Sequence, residues 1–94
     1  MDKNKVREVL SLYRQKFEEL NIEAKDFPHL ESLPSDSLTP SLSHCLGMLA
    51  KMEVFMDENR MEKTFRWLGF IQGVLWTSRL YTLEELKNHS RPRE

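Results

Sequence analysis

Arg66 stands inside the run Phe65-Arg66-Trp67-Leu68-Gly69-Phe70, where a charge is costly unless something satisfies it. Its planar guanidinium suits bidentate recognition of phosphate, and Gly69 would let a ligand approach the backbone. The spacing also allows a plainer role, an exposed arginine on the helix's one polar line with Glu62 at i−4 as its partner. A second cluster surrounds Tyr13, with Arg14 and Lys16 beside it and Lys25 just beyond the helix end. A ring next to cations offers a nucleotide a face to stack on and charges for its phosphates. Tyr13 fits the core more simply, with its hydroxyl at the rim.

Enzyme chemistry has little to work with. His29, His44 and His89 are scattered, and none has a second ligand-type residue at helical spacing. His44 beside Cys45 reads as a helix residue near the core. Glu18-Glu19 and Glu84-Glu85 are adjacent pairs, so their carboxylates point to different sides of a helix and cannot share acid–base work. There is no glycine-rich phosphate loop and no nucleophile elbow. We therefore expect no catalytic residues, no metal site and no cofactor. A lone cysteine excludes a disulfide framework or a cysteine zinc site within one chain.

Composition narrows the class further. The 94 residues are 39% hydrophobic and 31% charged, with 14 basic against 15 acidic side chains and a net charge of −1. That balance describes a soluble globular chain of one domain, residues 1–94, and disfavours duplex DNA as a partner. No apolar run approaches the roughly 20 residues of a membrane span, and the start MDKNKV has no apolar signal region. A cytoplasmic location without membrane contact is expected.

The elements that must position these residues are helical. Over residues 1–22, Val6, Val9, Leu10, Tyr13, Phe17 and Leu20 recur at steps of three and four, one face of a helix. Residues 23–39 form a connector in which Pro28 and Pro34, with Pro40 just after, forbid continuous helix. Its apolar Phe27, Leu30 and Leu33 predict a strap ordered across the helices. Thr39-Pro40 reads as N-cap and first helical residue of an αα-hairpin over 40–77. Leu42, Cys45, Leu46, Leu49, Met52 and Met56 line its first arm, and Met61, Phe65, Leu68, Ile71 and Leu75 its second. The break falls at Asp57-Glu58-Asn59, with Asn59 or Asp57 as the next N-cap. Thr82-Leu83-Glu84-Glu85 is a capping box opening a short helix over 82–89, anchored by Leu83 and Leu86. The fold class is all-α.

The second arm of the hairpin holds more apolar surface than one small bundle can cover. Trp67, Phe70 and Val74 form another face beside the first, which predicts burial nearly all round. Gly69 and Gly73 stand four apart and leave one line of the helix bare. Each costs up to ~1 kcal/mol relative to alanine in a helix interior. Such a line suits close approach of another helix, within the chain or from a second subunit, or of a ligand. A second subunit would also cover the surplus apolar face, so a homo-oligomer is expected.

The stretch Glu62-Lys63-Thr64-Phe65-Arg66-Trp67-Leu68-Gly69-Phe70-Ile71-Gln72-Gly73-Val74-Leu75-Trp76, followed by Tyr81-Thr82-Leu83-Glu84-Glu85-Leu86-Lys87-Asn88-His89, resembles the helical hairpin of small bacteriophage proteins that counter CBASS immunity. Phage sponges that counter the Thoeris system share this hairpin. The N-terminal helix and the Phe27-Pro28-His29-Leu30 connector are most similar to the anti-CBASS branch. The resemblance implies a helical hexamer that sequesters cyclic oligonucleotide messengers in the host bacterial cytoplasm without cleaving them. Its ligands would be cyclic dinucleotides such as cGAMP, and cyclic trinucleotides. By the same resemblance Tyr13 and Lys25 match the dinucleotide site, and Arg66 and Gly69 the trinucleotide site. Two other classes remain open: a helical protein–protein inhibitor of a host enzyme, and a hydrolase of the messenger. The absence of clustered Asp and His makes the hydrolase the weaker of the two.

Overall fold

Alternating apolar and charged faces produce four helices in a computed structural model that describes residues 1–25, 27 and 38–91. They are α1 (Lys3–Glu19), α2 (Leu38–Asp57), α3 (Met61–Thr77) and α4 (Leu83–Ser90). No strand occurs among the described residues. None of the helices is long and apolar enough to cross a membrane. The core is shared by α1, which buries Val6, Val9, Leu10, Tyr13 and Phe17, and the hairpin of α2 and α3. From the hairpin come Leu42, Cys45, Met48, Leu49, Met52, Phe55 and Met56, then Leu68, Ile71 and Leu75. Arg7 ties α1 to α2 outside this core, reaching Glu53 at 3.4 Å and Asp57 at 3.2 Å.

How the helices end departs from the sequence reading. Asn21, Asn59 and Arg79 adopt left-handed backbone with φ of 57°, 62° and 64°. Each follows a helix and closes it with the same pair of backbone bonds: Asn59 donates to Met56 and Arg60 to Phe55, Asn21 to Glu18 and Ile22 to Phe17, Arg79 to Trp76 and Leu80 to Leu75. This is the Schellman arrangement, in which a left-handed residue frees two amides to satisfy carbonyls of the last turn. Asn59 therefore terminates α2 and does not cap α3. The N-cap position of α3 is Arg60, which makes no side-chain cap bond. Asparagine tolerates the left-handed region and arginine less so, making Arg79 the strained member of the three.

Other expectations shift in detail. Thr39 and Pro40 lie within α2, because the helix starts at Leu38; a proline is still tolerated there, where the first-turn amides have no intrahelical partner. The capping box at α4 is present: Glu85 N–H donates to Thr82 Oγ1 at 3.1 Å, and Thr82 N–H to Glu85 Oε1 at 2.9 Å. These bonds hold the Glu85 carboxyl below its usual range. Of the expected apolar contacts, Leu20 is 42%, Phe65 39% and Leu83 51% exposed, so these three do not anchor the core. Thr64 is buried in place of Phe65, its Oγ1 donating to the Arg60 carbonyl at 2.9 Å. In the connector, Pro28, His29, Leu30, Leu33 and Pro34 lie outside the described residues. Its start is docked, since Lys25 N–H donates to the Ser43 carbonyl of α2 at 3.1 Å.

Cys45 is fully covered in the core, and burial pushes its thiol up to about 12. The thiolate is the reactive form. Iodoacetamide at pH 8 should therefore label native protein at least about 100-fold more slowly than urea-unfolded protein, as followed by mass spectrometry. Comparable rates would mean that the α1/α2 core opens readily.

Candidate functional site

Between α2 and α3 lies a groove of about 620 Å³, lined by Phe27, His44, Met48, Lys51, Arg66, Trp67 and Phe70. The helices supply its walls by simple periodicity. His44, Met48 and Lys51 are successive turns of α2, and on α3 the neighbours Arg66 and Trp67 are followed one turn later by Phe70. Phe27 closes one end, with its ring 6.2 Å from that of His44. The ring of Phe70 meets His44 edge-on at 6.4 Å. Trp67 is braced by a perpendicular contact with Phe55 at 4.8 Å, over which the Lys63 ammonium sits at 4.5 Å from the Phe55 centroid.

Arg66 lies at this groove in the plainer of its two expected settings. Its side chain is 65% exposed and its Nη1 donates to Glu62 Oε1 at 3.3 Å. An ion pair so open to water is screened and weak, so a phosphate can displace the glutamate at little cost. Arg66 is thus not a buried charge within the single chain. Gly69 lies on the adjacent exposed surface of α3, and a Cβ added there would meet nothing within 4 Å. Lys25 reaches the groove indirectly, its ammonium 5.6 Å from the centroid of Phe27.

Tyr13 is elsewhere. It is fully covered by the packing of α1, α3 and α4. Its hydroxyl contacts Nδ1 of His89 at 3.0 Å and accepts from Gln72 Nε2 at 3.1 Å, while Gln72 also donates to Ser90 Oγ at 3.2 Å. Its ring packs against Tyr81 at 5.8 Å and His89 at 5.4 Å. Burial pushes the hydroxyl up to about 12, opposed by the Gln72 bond and reinforced by the neighbouring Tyr81. The Tyr81 hydroxyl is likewise raised, by burial and by Glu85 and Glu19. Neither hydrogen bond nor ring contact joins Tyr13 to Lys25. The structure therefore draws Arg66 and Lys25 toward one groove and holds Tyr13 inside the fold.

His44, expected as a helix residue near the core, stands at the groove wall. Its Nδ1 is buried without a hydrogen-bond partner among the described residues. Unused hydrogen-bonding capacity at a groove wall is a cost that a polar ligand atom would relieve. Lys51, Phe27 and Phe70 were also missed as site residues. A helical wheel of α2 places His44, Met48 and Lys51 along one flank, which was the available signal. No group of three or more His, Cys, Asp or Glu able to hold a metal occurs among the described residues. The exposed side of α3 carries Phe65, Gly69, Phe70, Gly73 and Trp76, with Phe70 55% and Trp76 49% exposed. The expected all-round burial of α3 is absent within one chain. Compared with known proteins, the chain matches no family model, no curated protein and no solved structure.

Proposed function

We propose that this protein is a phage immune-evasion sponge that binds cyclic oligonucleotide second messengers and withholds them from CBASS effectors. Support comes from the resemblance of the hairpin sequence and from the chemistry of one groove. That groove, with Arg66 and Lys51 set among Phe27, His44, Trp67 and Phe70, is the observation that carries the reading. A cyclic dinucleotide or trinucleotide presents flat bases and phosphodiesters on a small ring. Aromatic faces stack the bases, and a guanidinium or ammonium neutralises each phosphate. The groove's volume falls within the usual range for small-molecule sites of about 300–1,000 Å³. Capture requires no general base and no metal; slow release and copy number set the effect. Arg66 and Gly69 would serve cyclic trinucleotides, and Tyr13 with Lys25 cyclic dinucleotides such as cGAMP. Use of Tyr13 requires its ring to be uncovered first.

The bare side of α3 would be the subunit contact of a homo-oligomer, a hexamer on the resemblance, seated in the host cytoplasm. Two glycines facing open space beside Phe70 and Trp76 make a flat apolar strip onto which a second helix can close. Isothermal titration with cyclic di- and trinucleotides, followed by chromatographic recovery of the ligand, tests the reading. Tight binding with intact ligand is the expected result. Cleaved ligand would make the protein an enzyme. The absence of heat with every cyclic nucleotide would favour a protein–protein inhibitor, for which the exposed Leu12 of α1 and Leu20 just after it offer apolar contact.

A further inference from the structure

α4 is attached to the rest of the chain by little apolar surface. Leu86 is its buried residue, and Leu83 is 51% exposed. Its C-terminal turn is held by polar contacts instead, through His89 and Ser90. An element with few buried apolar contacts opens at low free energy, so these bonds decide how long it stays docked.

One arrangement gives every hydrogen of this network an acceptor. Gln72 Nε2 donates one hydrogen to the Tyr13 oxygen and the other to Ser90 Oγ. The Tyr13 hydrogen is then the one directed at His89 Nδ1. An accepting Nδ1 belongs to the neutral imidazole with its proton on Nε2. Protonation places a hydrogen on Nδ1. The Tyr13 oxygen then faces two donors, and its own buried hydrogen is left without that acceptor.

The charges around His89 are mixed. From α1, Lys5 opposes protonation, and Glu8 lines a shallow cavity shared with His89 and Lys5. From α4 itself Glu85 favours protonation. α3 contributes the neutral Gln72 through Tyr13. Tyr81 stacks edge-on at 4.8 Å, with Lys16 5.7 Å from its ring and Glu19 nearby. Burial, joined by Lys5, outweighs Glu85 and holds His89 below its ordinary value.

We propose that Tyr13 and His89 form a proton-released latch: neutral His89 keeps α4 on α1 and α3, and protonation of Nδ1 frees α4 and uncovers the Tyr13 ring. The consequence for ligand capture rests on the sponge reading; the latch itself needs no ligand and is tested without one. The sign follows from the lowered folded value. Stability from the neutral histidine is whole above the ordinary value near 6.5 and is lost as pH falls through it toward the folded value.

Amide hydrogen exchange of the full chain by NMR, corrected for intrinsic rates, reads the latch directly. Protection of the α4 amides should fall between pH 7.5 and 5.5, by up to about 10-fold for one proton taken up at an ordinary value near 6.5, while α2 stays protected. His89→Asn keeps an acceptor near Nδ1 but cannot take the proton, so its α4 should remain protected at pH 5.5. Tyr13→Phe removes the donor, and its α4 should be poorly protected at both values. Unchanged wild-type protection across this range overturns the proposal, as does a pH dependence that survives in His89→Asn. Should Tyr13→Phe not fold, the His89→Asn comparison alone decides.

Discussion

Arg66→Ala is expected to weaken binding of a cyclic trinucleotide by about 10- to 100-fold, because a hydrogen bond to a charged group contributes about 1.5–3 kcal/mol. The melting temperature should barely move. Arg66 is 65% exposed, and its pair with Glu62 is too open to water to stabilise the fold appreciably. That separation makes the measurement clean, since lost affinity cannot be blamed on lost structure. Titration calorimetry reads the affinity, and thermal circular dichroism reads the fold. Lys51→Ala, on the opposite wall of the groove, should weaken the same ligand. If Arg66→Ala binds as tightly as wild type, the groove is not the phosphate site and the protein-inhibitor reading takes precedence.

Under the proposed homo-oligomer, Gly73→Leu should yield monomer while leaving the single chain at least as stable. Within one chain a Cβ at Gly73 meets nothing within 4 Å, so a side chain can leave the helix there into open space. Replacing glycine in a helix interior gains up to about 1 kcal/mol of propensity. Thr77 Oγ1 already bonds the Gly73 carbonyl at 3.1 Å, and that bond is untouched by the side chain. Against a neighbouring subunit the same leucine would push two helices apart, and overpacked contacts cost about 1–3 kcal/mol each. Light scattering coupled to size exclusion distinguishes the outcomes. A monomer of raised melting temperature places the subunit contact on this strip. A more stable protein of unchanged mass would remove the strip from the interface.

Helix class and most of the core were legible in the residues because burial follows helical periodicity. Val6, Val9, Leu10, Tyr13 and Phe17 are buried where a spacing of three and four puts them. The capping box at Thr82 is equally local, two bonds set by residues three apart. The turn at Asn59 was misread because one asparagine suits both an N-cap and a left-handed C-terminal position. Only the backbone path out of α2 selects between them. Phe65 and Thr64 exchanged places for a related reason: neighbouring positions differ by 100° around a helix, and the crossing of α2 over α3 sets which of them faces inward.

The candidate site was harder, since its parts come from separate elements. Arg66, Gly69, Tyr13 and Lys25 stand out along the chain by type and spacing, but spacing cannot say what each one meets. Folding sets Arg66 opposite Lys51 and His44 across a groove, and encloses Tyr13 between His89 and Gln72. His89 lies 76 positions from Tyr13 and His44 lies 26 from Phe70. Local order in this protein is dictated by residues within one or two helical turns, through periodicity and capping. Which charge stays open to water and which hydroxyl is closed off depends on contacts between distant helices, and those exist only once the chain has packed.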